Sequence, residues 1–207
     1  MCQFFSAIVT KNDIIYDLNN DQHEELIKKA NLNDSTLKPN FVRVELINKD
    51  VFDRNLNNWK LIIDQDMIPE WFNKDIVEQR VKKLFASIYD KIILIDQKDV
   101  KLHNRRVFIK NSSVIAYGHS SVKAYGKSSV EANGQSSVEA YGYSSVVANG
   151  HSSVNAFDHS SVEAYGNSFI AATDHSSVEA YGYSSVVANG CSSVVANGCS
   201  SVNYMPV

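Results

Sequence analysis

A cysteine stands second in the chain, behind Met1. Loss of the initiator would leave a thiol and a free α-amine on one residue. That pair can act as nucleophile and built-in base, the arrangement of N-terminal nucleophile hydrolases. It can also close a ring on an aldehyde, as abasic-site-crosslinking proteins do. The plainer reading of Cys2 is a small apolar residue opening a strand. His23 could assist it as base, with Asp21 or Glu24 orienting the ring. It lies on the apolar stripe of a short helical pattern, however, where a hydrogen-bonded core histidine is the ordinary reading. Asp64, Asp66 and Glu70 gather acidic side chains around Pro69. They lack the glycine and the Asp/Asn spacing of a calcium loop. Trp71 and Phe72 read as core or interface aromatics.

These residues need elements to hold them, and the chain supplies two kinds. All nine glycines fall between Gly118 and Gly198. Up to Asn111 there are 18 basic and 17 acidic residues; beyond it there are two and six. Two compositions imply two structures. The overall balance of −3 gives no basic footprint for nucleic acid. Three cysteines without a Cys-x-x-Cys pair make neither a disulfide framework nor a zinc motif. No stretch of about 18 apolar residues could span a bilayer. The N-terminus lacks a basic region and a long apolar core, so no secretory signal is read there. A reducing cytoplasm, of a bacterial or phage-infected cell, is the expected compartment.

From Ser112 the chain repeats Ser-Ser-Val-x-Ala-x-Gly-x about eleven times, and Ser200-Ser201-Val202-Asn203 begins a twelfth unit. A short fixed period predicts a solenoid, because each unit can bury its apolar face only against its neighbours. Positions 3 and 5, Val and Ala, share one face of a strand. Position 4 varies freely (Ile115, Lys123, Glu131, Val147, Asn155) and reads as outward, as does position 6. Position 7 is Gly except at Asp158 and Asp174, which suggests a left-handed turn conformation. The serine pair can hydrogen-bond the turn backbone.

One octad of extended chain measures ~26 Å around, too short to run out and back. Three octads would leave a centre that Val and Ala cannot fill. Two octads, 16 residues, give a thin two-sided coil, and about six such coils. This register stacks Asp158 on Asp174 and Glu163 on Glu179, and like charges on neighbouring strands repel. It also places His159, His175 and Cys191 in one column at ~4.8 Å spacing, a weak candidate for a soft-metal site. The alternative is an unconstrained turn position. Cys191 and Cys199 fall at opposite edges, so no disulfide is expected between them. Tyr117, Tyr125, Tyr141, Phe157, Tyr165 and Tyr181 point outward as stacked aromatics and form the candidate interaction surface. Residues 136–150 and 176–190 are the same 15 residues, five octads apart. A two-sided coil puts one copy on each face, which suits a spacer or broad surface better than a focused pocket.

Before the repeat, residues 2–10 and 14–16 read as a hairpin. Residues 21–30 read as a helix capped by Asn20. Residues 41–47 and 59–63 alternate as strands, and 74–89 form the longest helical stripe. Short strands at 92–95, 100–102 and 107–109 lead into the repeat. The predicted fold is an α+β domain over residues 1–110 that caps one end of an all-β solenoid over 111–207. Residues 204–207 are expected to cap the other end, with Pro206 blocking further pairing.

The repeat resembles the octapeptide-repeat β-solenoid tails of bacterial and phage proteins. The start, Met1-Cys2-Gln3-Phe4-Phe5-Ser6, with Asp21-x-His23-Glu24, Trp59, Asp64 and Pro69-Glu70-Trp71-Phe72, is similar to an N-terminal domain that some of them carry. The resemblance implies the architecture and brings no reaction with it. The expected function is a non-enzymatic structural or protein-interaction module: a repeat scaffold, spacer or binding platform. Self-association is expected, with no cofactor, membrane or nucleic-acid partner. The alternative is a hydrolase or covalent-adduct enzyme using Cys2 with His23.

Overall fold

The computed structural model describes residues 4–33 and 39–205. It divides into two units, Met1–Ile92 and Ile93–Val207.

In the first unit, strand β1 (Phe5–Thr10) turns through a Thr10–Asp13 bend into β2 (Ile14–Ile15). Strands β3 (Phe41–Ile47) and β4 (Lys60–Ile63) complete an antiparallel sheet of order β2-β1-β3-β4. Helix α1 is His23–Lys29 and α2 is Lys74–Ile92. The helices cover opposite faces. Leu26 and Ile27 of α1 pack with Ile8 and Phe41. Phe85 of α2 meets Phe5 at 5.2 Å, Trp59 at 4.8 Å and Phe4 at 5.8 Å between ring centroids. Phe5 and Ile8 point to opposite sides of β1 because their spacing is odd and strand side chains alternate. Helix α1 begins later than the periodicity predicts. Its cap is Gln22, which makes no side-chain bond, whereas the Asn20 side chain accepts the Gln22 N–H in the turn before it. Seven residues are too few for a helix to persist alone, so burial of its apolar stripe holds it.

The second unit is the solenoid. It starts at Ile93, upstream of the 110/111 boundary read from composition. Strands β5 (Ile93–Ile95), β6 (Val100–His103) and β7 (Arg106–Lys110) are its first rungs. One strand per octad follows, β8 to β19, from Ser113–Tyr117 to Ser201–Tyr204. Alternate strands form two parallel sheets, one of seven strands ending at β6 and one of eight ending at β5. Every pairing within the octads is offset by 16 residues, as in Val130↔Val146 and Val138↔Val154. Two octads therefore make one coil. The first rungs bring the stack to about seven coils, one more than the octads alone supply.

The repeat's chemistry explains the stack. Val and Ala at positions 3 and 5 are buried from Val114 to Ala188, with Ile170 taking a valine place. The first serine of each pair also faces inward and is buried from Ser112 to Ser184. From Ser120 on, its hydroxyl donates to the carbonyl three residues earlier, as in Ser152 Oγ to Asn149 O at 2.7 Å. A buried hydroxyl is tolerated only when bonded, and the turn supplies the acceptor. Rungs β5 to β7 lack this motif but fill the same rows. Val100 pairs Val114, Leu102 pairs Ala116, and Ile109 pairs Ala124. Asn104 and Asn111 take the left-handed turn that Gly takes later, with φ of 49° and 50°.

At the far end, Tyr204 lies within β19 opposite Ala188 and is exposed. It extends the ladder instead of folding over it. Pro206 and Val207 lie outside the described residues.

Candidate functional site

His23 opens α1 and is 2% exposed. Its Nε2 lies 3.2 Å from the Val44 carbonyl oxygen, and its Nδ1 lies 3.2 Å from Asp64 Oδ2. Two elements bring these partners in. Val44 is central in β3, while Asp64 follows β4, and its N–H donates to Arg43 O. The Asp64 side chain is 61% exposed, so the pair reaches solvent on one side. The side chain of Gln65 fixes the local backbone by accepting the Arg43 N–H and donating to Phe41 O.

Glu45 completes the group. Its carboxylate, the His23 ring and the Asp64 carboxylate each offer one ligand atom, all within 4.8 Å of one another. Glu45 is buried and pairs directly across the sheet with Ser6. Directly opposed residues project to the same face, so Ser6 stands beside Glu45 on that face. The Ser6 hydroxyl oxygen is buried and has no hydrogen-bond partner among the described residues.

The partners of His23 are thus Asp64 and the Val44 backbone, in place of Asp21 or Glu24. Both ring nitrogens are engaged. Cys2 lies outside the described residues. Asp64 belongs to the acidic cluster seen in the sequence. The loop beyond it forms a cleft of about 570 Å³ lined by Pro39, Met67, Ile68, Glu70 and Trp71.

On the solenoid, the outward aromatics stack in columns. Tyr125, Tyr141 and Phe157 form one ladder with centroids 4.9 and 4.8 Å apart. The opposite sheet carries His103 on Tyr117 at 4.8 Å and Tyr165 on Tyr181 at 5.1 Å. Each tyrosine with a glutamate two residues before it donates its hydroxyl to that side chain: Tyr141 to Glu139, Tyr165 to Glu163, Tyr181 to Glu179. Burial, and then this bond to Glu139, push the Tyr141 hydroxyl far above the ordinary tyrosine range. Lys123 bridges to Glu139 across one coil at 2.9 Å.

At position 8, Tyr143, His159 and His175 stack at successive spacings of 5.3 Å. Sequence reading gave the two histidines and missed Tyr143. The His159 and His175 rings are parallel to within 10°. Ring lone pairs lie in the ring plane, so theirs run side by side instead of meeting at one ion. Among the described residues, the grouping of three metal-type ligand atoms is His23, Glu45 and Asp64, not His159, His175 and Cys191. Cys191 and Cys199 are free and exposed.

No family model, no curated protein and no solved structure matches this chain. No described helix is long and apolar enough to cross a membrane.

Proposed function

We propose that the protein is a non-enzymatic repeat scaffold whose solenoid presents outward side chains to a protein partner, including further copies of itself. One observation carries this reading. The string at residues 136–150 recurs at 176–190, and its strands fall on opposite sheets, β11 (Ser137–Ala140) in the eight-stranded sheet and β16 (Ser177–Ala180) in the seven-stranded one. A surface copied onto both sides suits repeated or extended contacts. A single catalytic pocket has no use for it. The aromatic columns supply the contact chemistry, since flat stacked rings offer apolar area with a polar edge.

Light scattering on the full chain tests the self-association. The expected mass exceeds the 23.1 kDa of one chain and falls toward it in a Tyr165→Ser, Tyr181→Ser variant that keeps its β-sheet signal. A strict monomer at all concentrations removes self-association from the proposal. A turnover activity abolished by Cys2→Ser would overturn the scaffold reading itself.

A further inference from the structure

We propose that His23, Glu45 and Asp64 bind a divalent first-row transition-metal ion, zinc or manganese being the nearest fits. A backbone carbonyl can only accept, so the nitrogen facing Val44 O carries the ring hydrogen. In a neutral ring the other nitrogen, Nδ1, then presents a lone pair to Asp64 Oδ2 at 3.2 Å. Two acceptors cannot face each other at that distance unless a cation sits with them, either a second ring proton or a metal.

Three features favour the metal. A metal-ligating histidine ordinarily donates its far N–H to a carbonyl or carboxylate, which fixes the tautomer; the Val44 bond does this. The 3.2 Å separation of Nδ1 and Oδ2 falls within the roughly 3.0–3.4 Å that two ligands of one ion at ~2.1 Å adopt. The third feature is independent of the cluster's own bonds. Ser6 is 1% exposed and pairs with Glu45 across the sheet, and its buried Oγ lacks a partner. It is an uncommitted oxygen suited to ligate the ion or to hold its bound water.

The donor set decides the class of ion. One imidazole and two carboxylates suit zinc, manganese or ferrous iron, whereas magnesium and calcium favour oxygen alone. The three ligand atoms lie within 4.8 Å of one another, and the exposed Asp64 carboxylate provides the access path.

The full chain, stripped with chelator and titrated with zinc or manganese by calorimetry, tests the site. The expected result is one ion per chain and a thermal midpoint that rises with free metal by mass action. Asp64→Asn should weaken binding at least tenfold, since even outer partners of metal ligands are worth roughly 10- to 100-fold. His23→Gln should abolish it. Should the buried His23 variant fail to fold, Asp64→Asn at its exposed position reads the same site. A His159→Asn, His175→Asn variant should bind as tightly as the parent chain. The proposal is overturned by absence of stoichiometric binding. It is overturned equally by loss of binding in the His159/His175 variant with retention in Asp64→Asn. Nitrogen-15 spectra showing both His23 ring nitrogens protonated at saturating zinc would also refute it, leaving a plain ion pair.

Discussion

The Asp158 carboxylate accepts the main-chain N–H of Gly142, one coil earlier, at 2.8 Å. Asp174 reaches the N–H of Asp158 in the same way at 3.3 Å. Both aspartates hold φ of 56°. Their side chains thus compensate for the strained backbone they occupy, and stacked carboxylates become stacked caps. Asp158→Asn keeps the acceptor and the conformation and removes one of two adjacent charges. It should be as stable as the parent chain or slightly more so at low salt, with the difference vanishing at high salt. Asp158→Ala loses the bond and retains the strain, and should cost about 2 kcal/mol in urea unfolding.

Gly166 tests the same turn from the other side. Its φ is 69°, and a Cβ there would lie 3.0 Å from the Gly150 carbonyl oxygen in the coil below. Gly166→Ala must both adopt a left-handed backbone and push against main chain. A loss of ~2 kcal/mol or more is expected, read as a lower urea midpoint with an unchanged slope.

The inward rows separate packing from hydrogen bonding. Val154→Ala removes two methyl groups from a fully buried row and should cost about 2–3 kcal/mol. Ser152→Ala leaves the Asn149 and Ala132 carbonyls without its hydroxyl and should cost about 1 kcal/mol. Ser152→Val should be worse than either, because the turn leaves the larger side chain no room. Circular dichroism across a denaturant series gives the ranking.

In the first unit, Tyr89 is buried on α2 and its hydroxyl has no partner among the described residues. Burial raises its pKa to about 12. The folded state therefore holds this proton more tightly than the unfolded chain, whose value is near 10. The tyrosine's contribution is fully present below about pH 10 and is lost as pH climbs from there toward about 12. Tyr89→Phe keeps the ring beneath Arg54, 5.1 Å from its guanidinium carbon. It should raise stability at neutral pH by up to ~1 kcal/mol and flatten the alkaline loss, measured by urea unfolding at pH 8 and pH 11.

The octads were legible because their inward positions carry almost nothing but Ser, Val and Ala, so the two-octad coil follows from perimeter and filling alone. The start of the rod was not. Strands β5 to β7 use Leu94, Leu102 and Ile109 where later rungs use Ala, and Asn or Asp where later turns use Gly. The signal was present in the two-residue spacing of Val100 with Leu102 and of Val107 with Ile109, without the period that makes it visible. In the first unit, His23 was found as a buried histidine, while Glu45 passed unnoticed on the charged side of an alternating strand. Its pairing with His23 and Asp64 joins residues 22 and 41 positions from the histidine, a separation that no local pattern encodes. With Val42, Val44 and Leu46 alternating on one side, Arg43 and Glu45 read as the solvent face, so nothing in β3 alone marked Glu45 as buried.

The identical strings at 136–150 and 176–190 sit on opposite sheets because five octads separate them. Parity therefore governs how this chain can change length. Gain or loss of a single octad would leave the Ser, Val and Ala rows intact and yet transfer every downstream outward side chain to the other flank. Gain or loss of a pair would restore the original pattern. Folding energetics is nearly blind to that difference, so only a role that depends on the outward side chains could favour even steps.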